Sequence, residues 1–215
     1  MAHTETKIQL PEPTLRRLPW YLSYVSMLRS SGVEYVSSTL IARELDVDAS
    51  QIAKDLSFLN IKGKTRIGYE VASLEQVLED FLGFKKTHNA VIAGVGSLGS
   101  ALMADSGLQR YGLDIVAGFD VNKNIVGKEI AGVPVFDMSR LADVRREFNA
   151  EIGILTVPVE VAQEVCDMMV GAGFKALWNF TPIRIRTAGD IVVSNTSIYA
   201  HLALMYNRLT QNGQQ

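Results

Sequence analysis

The stretch Val91-Ile92-Ala93-Gly94-Val95-Gly96-Ser97-Leu98-Gly99-Ser100 limits what this chain can fold into more than any other part of it. An apolar run of strand character leads into glycines spaced G-x-G-x-x-G, and a helical pattern follows at once. Strand, glycine turn and helix in that order are the context in which the motif has a mechanism. Gly94 permits the tight turn, Gly96 lets the backbone approach a pyrophosphate, and Gly99 lets the helix pack closely on the sheet. Val95, Ser97 and Leu98 complete the loop, and the helix opening near Ser97 offers free N–H groups and its positive dipole end to phosphates. The next strand, IVAGFD, ends in Asp120, 26 residues beyond Gly94. A carboxylate there accepts hydrogen bonds from both adenosine ribose hydroxyls and repels a 2′-phosphate, so NAD(H) is expected over NADP(H).

The motif stands near the middle of 215 residues, so the chain divides. After it, DIVAGFD, VPVFD, EIGILTVP and ALWNF alternate with helical patterns, the signature of βαβ units and a parallel sheet. Before residue 85 the segments PEPTLRRLPWYLSYVSMLRS, SSTLIARELD, DASQIAKDLSFLN and SLEQVLEDFLGF read as helices, with the short basic stretch IKGKTRIGYEV between the last two. The expected organisation is an N-terminal helical domain over 1–84, a Rossmann-type α/β domain over 85–195, and a C-terminal helix with a short tail over 196–215. At 47% hydrophobic and 20% charged this is an ordinary globular composition. No apolar run reaches the roughly 18 residues of a membrane span, and the N-terminus lacks an apolar signal core, so a cytoplasmic protein is expected. The single cysteine, Cys166, excludes an internal disulfide framework and reads as a small buried residue of a helix. The three histidines, His3, His88 and His201, are scattered and show no metal-ligand spacing.

Chemistry on a nicotinamide needs a proton donor beside it, often His, Lys, or Tyr with Lys a helical turn later. No tyrosine here has a lysine four residues on, and His201 is the one histidine after residue 90. Binding without turnover therefore stands beside a small NAD-dependent oxidoreductase as a reading. The N-terminal half supplies a use for such binding. Asp48 and Gln51 have capping-box spacing at the start of a helix whose Ile52, Leu56 and Leu59 face one way, leaving Ser50, Gln51, Lys54 and Ser57 on other faces. With the preceding helix over about 38–45 this has helix-turn-helix proportions. Lys62, Lys64 and Arg66 follow in a glycine-containing, hairpin-like segment, the place of a wing along a DNA backbone. Residues 1–84 carry nine Lys and Arg against eleven Asp and Glu, so this half is no general polyanion binder. The positive charge is local: from Ser50 to Tyr69, Lys54, Lys62, Lys64 and Arg66 face the single acid Asp55.

In these residues the chain resembles the redox-sensing transcriptional repressors of the Rex family. The likeness runs from about Pro11 to about Leu209 through PEPTLRRLPWYL, VSSTLIARELDVDASQIAKDLSFL, IGYEVASLEQVLEDFLG, GVGSLGSAL, ILTVPVEVAQ and LWNFTP. It implies a homodimer of winged-helix DNA-binding domains and NAD(H)-holding Rossmann domains, with the helix over about 197–209 swapped onto the partner. It further implies cofactor contacts at Thr156, Val157, Pro158 and Asn179, operator DNA as partner, and release when NADH accumulates. The family's pattern of an Arg in the first helix, a Tyr after the glycine loop and an Asp near the last helix is replaced here by Ser23, Asp105 and Ser197. Ala53 and the run Lys64-Thr65-Arg66 also depart from it, which points to a shifted operator. A third reading, a CoA-type module without DNA binding, is disfavoured by Asp120, because the CoA ribose carries a 3′-phosphate.

Overall fold

Helical periodicity before residue 85 and strand–helix alternation after it fold as two compact units, Met1–Lys85 and Lys86–Gln215, in the computed structural model, which describes residues 10–212. The first unit opens with α1 (Glu12–Ser30), whose early prolines sit where a missing N–H breaks no helical bond. Next come β1 (Tyr35–Val36), α2 (Ser38–Leu45) and α3 (Ala49–Ser57), then β2 (Tyr69–Glu70) and α4 (Val71–Leu82). The Ser37 hydroxyl accepts from the Leu40 N–H at 3.1 Å and caps α2, which stops where Asp46 turns left-handed. β1 and β2 pair antiparallel, Tyr35 opposite Glu70 and Val36 opposite Tyr69. The core is one cluster in which Leu18 and Val25 of α1, Ile41 of α2, Ile52 and Leu56 of α3, and Leu74 and Leu78 of α4 are fully buried. Each such side chain contributes about 1.5–3 kcal/mol by leaving water.

Two sequence expectations change in this unit. Asp48 is the N-cap residue of α3, but its side chain caps nothing, and the Gln51 amide turns inward to donate to Asp55 instead of reaching back. The hairpin-like wing shrinks to one bridge, Lys64 to Gly68, and the strand pairing it feeds is the short β1–β2 ladder.

The second unit is a seven-stranded sheet made of β3 (His88–Ala93), β4 (Leu113–Asp120), β5 (Glu129–Ile130), β6 (Val133–Asp137), β7 (Ile152–Leu155), β8 (Ala176–Asn179) and β9 (Val192–Asn195). Their spatial order is β5-β6-β4-β3-β7-β8-β9, parallel throughout except for β5 against β6. Leaving out that edge strand, the order is the 3-2-1-4-5-6 of a Rossmann sheet, which reverses direction of winding between β3 and β7. Helices α5 (Ser97–Met103), α6 (Ser106–Arg110), α7 (Leu141–Glu147) and α8 (Ala162–Gly171) cross between strands. Buried residues lie on both faces of the sheet, Val91, Phe119, Leu155 and Cys166 in one cluster, Ile92, Ile115 and Ile154 in another.

The helical pattern that follows the glycines folds as two helices, α5 and α6. Asp105 makes the break, because its carboxylate accepts from the Gly107 N–H at 2.7 Å and starts a new helix. β5 and β9 were absent from the sequence reading; β5 has two residues, and β9 lies at the sheet edge with an exposed Val192. Last comes α9 (Ile198–Asn212), where the Ser197 hydroxyl accepts from the Ala200 N–H at 3.1 Å. Ile198, Tyr199, Met205, Tyr206 and Leu209 on it are at least half exposed within the chain. Among the described residues no helix is long and apolar enough to cross a membrane.

Candidate functional site

The carboxyl ends of β3 and β7 meet at the point where the sheet reverses, and the glycine loop sits there. Gly94 takes a φ of +92°, and a Cβ on it would lie 2.8 Å from the Thr156 carbonyl, so no other residue fits without moving one of the two loops. The Thr156 hydroxyl lies 2.7 Å from the Gly94 carbonyl and 3.1 Å from that of Ala93, donating to them and tying β7 to the end of β3. A Cβ on Gly99 would meet the Gly94 carbonyl at 2.1 Å, so α5 approaches the loop too closely there for any side chain. Gly96 differs from both: nothing lies within 4 Å of where its Cβ would be. The structure itself therefore does not need glycine at 96, and the open space is a cradle that a side chain would fill. Beside it α5 starts at Ser97, and the first-turn N–H groups of Ser97, Leu98 and Gly99 have no intrahelical acceptor.

Asp120 ends β4 next to this loop. Its Oδ2 accepts from the Val95 N–H and its Oδ1 from the Asn122 N–H, both at 2.8 Å. The carboxylate thus sets the loop's shape and keeps a further lone pair on each oxygen for outside donors. Between Asp120 and α8 opens a cleft of about 430 Å³ with a mostly apolar wall. Gly94, Val157 and Pro158 line it together with Phe119, Val121, Met138, Val161, Glu164, Val165 and Met168. The last seven were missed from sequence, although 161, 164, 165 and 168 have the spacing of one helix face. None of the described residues lining the cleft is a His, Lys or Tyr.

Asn179 is fully buried at the end of β8. Its amide donates to the Ile183 carbonyl at 2.7 Å and to Asn195 Oδ1 at 2.9 Å, and its own oxygen accepts from the Thr181 N–H and hydroxyl. These bonds engage the whole side chain and put Asn179 to work shaping the NFTP turn.

On the first unit, α3 exposes Ser50, Ala53, Lys54 and Ser57 and buries Ile52, Asp55 and Leu56. Gln51, expected on the open face, is half-buried and committed to Asp55. The acid counted against the local positive charge is thus withdrawn from the surface. In the wing, Lys62 and Arg66 are exposed, and Arg66 takes a left-handed φ of +63° at the turn. Lys64 is exposed as well; its ammonium donates to the Tyr35 hydroxyl at 3.0 Å and sits 4.9 Å from that ring's centre, and the contact with Tyr35 pushes its pKa up.

A small winged helix-turn-helix unit followed by a Rossmann domain with an open glycine cradle and an acid closing it defines a class, the DNA-binding regulators that carry a nucleotide-binding domain. Residues 9–57 match the family described as putative DNA-binding protein N-terminus, and residues 85–183 match the CoA binding domain family. The redox-sensing transcriptional repressor Rex of Bacteroides fragilis is 59% identical over 204 residues, 95% of this chain and 93% of that one. Rex of Treponema denticola is 43% identical over 198 residues, 91% of this chain and 94% of that one. The structure of RSP with beta-NAD+ and operator DNA superposes with a TM-score of 0.90 at 32% identity, covering 96% of this chain and 95% of that one. RSP with beta-NADH gives 0.86 at 33%, covering 95% and 96%. This chain belongs to the family of redox-sensing transcriptional repressors called Rex. Full-length relatives named as repressors displace the oxidoreductase reading.

Proposed function

We propose that the protein is a homodimeric repressor that holds operator DNA with α3 and the wing, reads the NADH/NAD+ ratio in the cleft beside β3, and releases DNA when NADH binds. The observation that carries this reading is the likeness along nearly the whole chain to a Rex-family repressor solved with NAD+ and operator DNA. The chain's own residues fit the dinucleotide: the space at Gly96 suits a pyrophosphate, and the apolar cleft ending in Asp120 suits an adenosine.

The backbone from Gly94 to Gly99 then cradles the phosphates, with Val95, Ser97 and Leu98 supplying N–H groups. Asp120 receives the ribose hydroxyls, and Val157 and Pro158 line the base, while Thr156 and Asn179 act by holding the two loops in place. Bound dinucleotide supplies the signal, the oxidation state of its nicotinamide. On DNA, Lys54 and Ser50 face the major groove, Lys62 and Arg66 neutralise phosphates, Lys64 stiffens the wing against Tyr35, and Gln51 acts indirectly through Asp55. The apolar residues exposed along α9 pack against a second copy. Such a repressor works in the cytoplasm, where its operator is.

The test is a gel-shift titration with NAD+ and NADH on duplexes that the purified protein selects from a random pool. NADH is expected to release DNA that NAD+ leaves bound. Rapid, substrate-dependent NADH oxidation with no DNA binding at any salt would reverse the assignment.

A further inference from the structure

α1 and α3 meet around a carboxylate placed where an apolar residue would be expected. Asp55 lies on the inward face of α3 between Ile52 and Leu56, its side chain wholly out of solvent. Arg17 grips it with both arms of the guanidinium, Nε at 2.7 Å from Oδ2 and Nη2 at 2.9 Å from Oδ1. The Tyr21 hydroxyl donates to Oδ2 at 2.8 Å, the Thr14 hydroxyl to Oδ1 at 3.0 Å, and the Gln51 amide to Oδ1 at 2.8 Å. Thr14, Arg17 and Tyr21 form one stripe of α1, so three of the four donating residues reach across from the neighbouring helix.

A buried ion pair is a weak source of stability compared with apolar residues of the same size. What it adds is geometry. The contacts of Ile52 and Leu56 tolerate small rotations of α3, whereas a planar fork on a carboxylate accepts one orientation. Consecutive residues of a helix point about 100° apart, so Asp55 held inward sets the direction of Lys54 beside it. Burial pushes the Asp55 carboxyl up, but the hydrogen bonds from Arg17, Tyr21, Gln51 and Thr14 outweigh it and leave the carboxyl below its ordinary value, so it is ionised at neutral pH.

We propose that Asp55, clamped by Arg17, is a positioning residue for operator recognition, fixing the rotation of α3 so that Ser50 and Lys54 meet base edges in register. The inference rests on the assignment of α3 to DNA made above. Its test compares full-length wild type with Arg17→Lys, which keeps the charge and loses the fork, and Tyr21→Phe, which keeps the shape and loses one donor. Lys54→Ala serves as control. Fluorescence anisotropy reads affinity for a selected operator and for a scrambled duplex of equal length across a salt series; thermal melts and NADH affinity report folding of the two units. Arg17→Lys is expected to lose about tenfold in operator affinity, the cost of one misplaced base contact, and Tyr21→Phe less. Affinity for scrambled DNA, the salt slope and NADH binding are expected to stay at wild-type values. A merely structural clamp would leave the operator-to-scrambled ratio unchanged in protein that is still folded. If both folded variants stay within about twofold of wild type while Lys54→Ala weakens DNA binding, the clamp is overturned alone. If Lys54→Ala has no effect, the assignment of α3 to DNA falls, and the clamp with it.

Discussion

Asp120 joins two tasks in one side chain, closing the glycine loop through the Val95 N–H and offering acceptors to a ribose. Asp120→Ala should therefore weaken NADH binding by about 1–3 kcal/mol in calorimetry, from lost charge-assisted hydrogen bonds. Parent protein that bound NADPH as tightly as NADH would end the claim that this acid selects the unphosphorylated ribose. At Gly96 the space is open, so Gly96→Val should fold and melt like the parent while losing NADH; a variant that binds normally would show that the cradle is not used. Asp55 gives a pH dependence of definite sign. Its folded carboxyl lies below the ordinary value near 4, so its stabilising contribution is complete above that pH and is lost as pH falls through the lowered value. Acid unfolding of the first unit should then lose part of its steepness in Asp55→Asn. An unchanged acid limb would mean that the carboxylate is not coupled to folding.

At the scale of elements, α3 works because its buried and exposed faces are set by different chemistry. Ile52→Ala should cost about 2–5 kcal/mol in a melt, by cavity formation in the cluster that α1, α2 and α4 share. Lys54→Ala should leave the melt alone and weaken binding to the selected operator by more than binding to a scrambled duplex of equal length. The two changes sit two residues apart and should separate stability from DNA affinity cleanly. The three positions that depart from the family's pattern have local roles: Asp105 and Ser197 are engaged in starting α6 and α9, and Ser23 is an exposed residue of α1. With serines at 23 and 197 in place of the Arg and the Asp no such ion pair can form, so discrimination between NADH and NAD+ should be smaller than in relatives that have it. Gel shifts at matched saturation would read it, and strong release by NADH alone would reveal another relay.

For the whole molecule, the proposed dimer rests on α9. Ile198, Met205 and Leu209 repeat at helical spacing along it and remain exposed in the isolated chain, with Leu202 half-buried between them. Ending the protein before Ser197 should yield monomers by light scattering and abolish tight operator binding, since two winged helices at a fixed spacing are needed for two half-sites. A truncated protein that stays dimeric and represses normally would remove α9 from the interface.

Much of this was legible in residue order alone. The glycine spacing after an apolar strand, Asp120 at the end of the next one, and the periodic Ile52, Leu56 and Leu59 depend on local backbone geometry and on which face meets the core. Those are properties of short windows, and they sufficed for the fold class and for most of the cradle. The tertiary structure decided what depends on residues far apart in the chain. Asp55 reads as a surface charge until Arg17, 38 positions away, is brought against it. Asn179 reads as an unattached amide until the Ile183 carbonyl and Asn195 Oδ1 accept from it. Lys64 reads as an unattached cation until the Tyr35 hydroxyl accepts one of its three donors. Sequence shows a polar side chain's capacity, whereas the fold determines where that capacity goes.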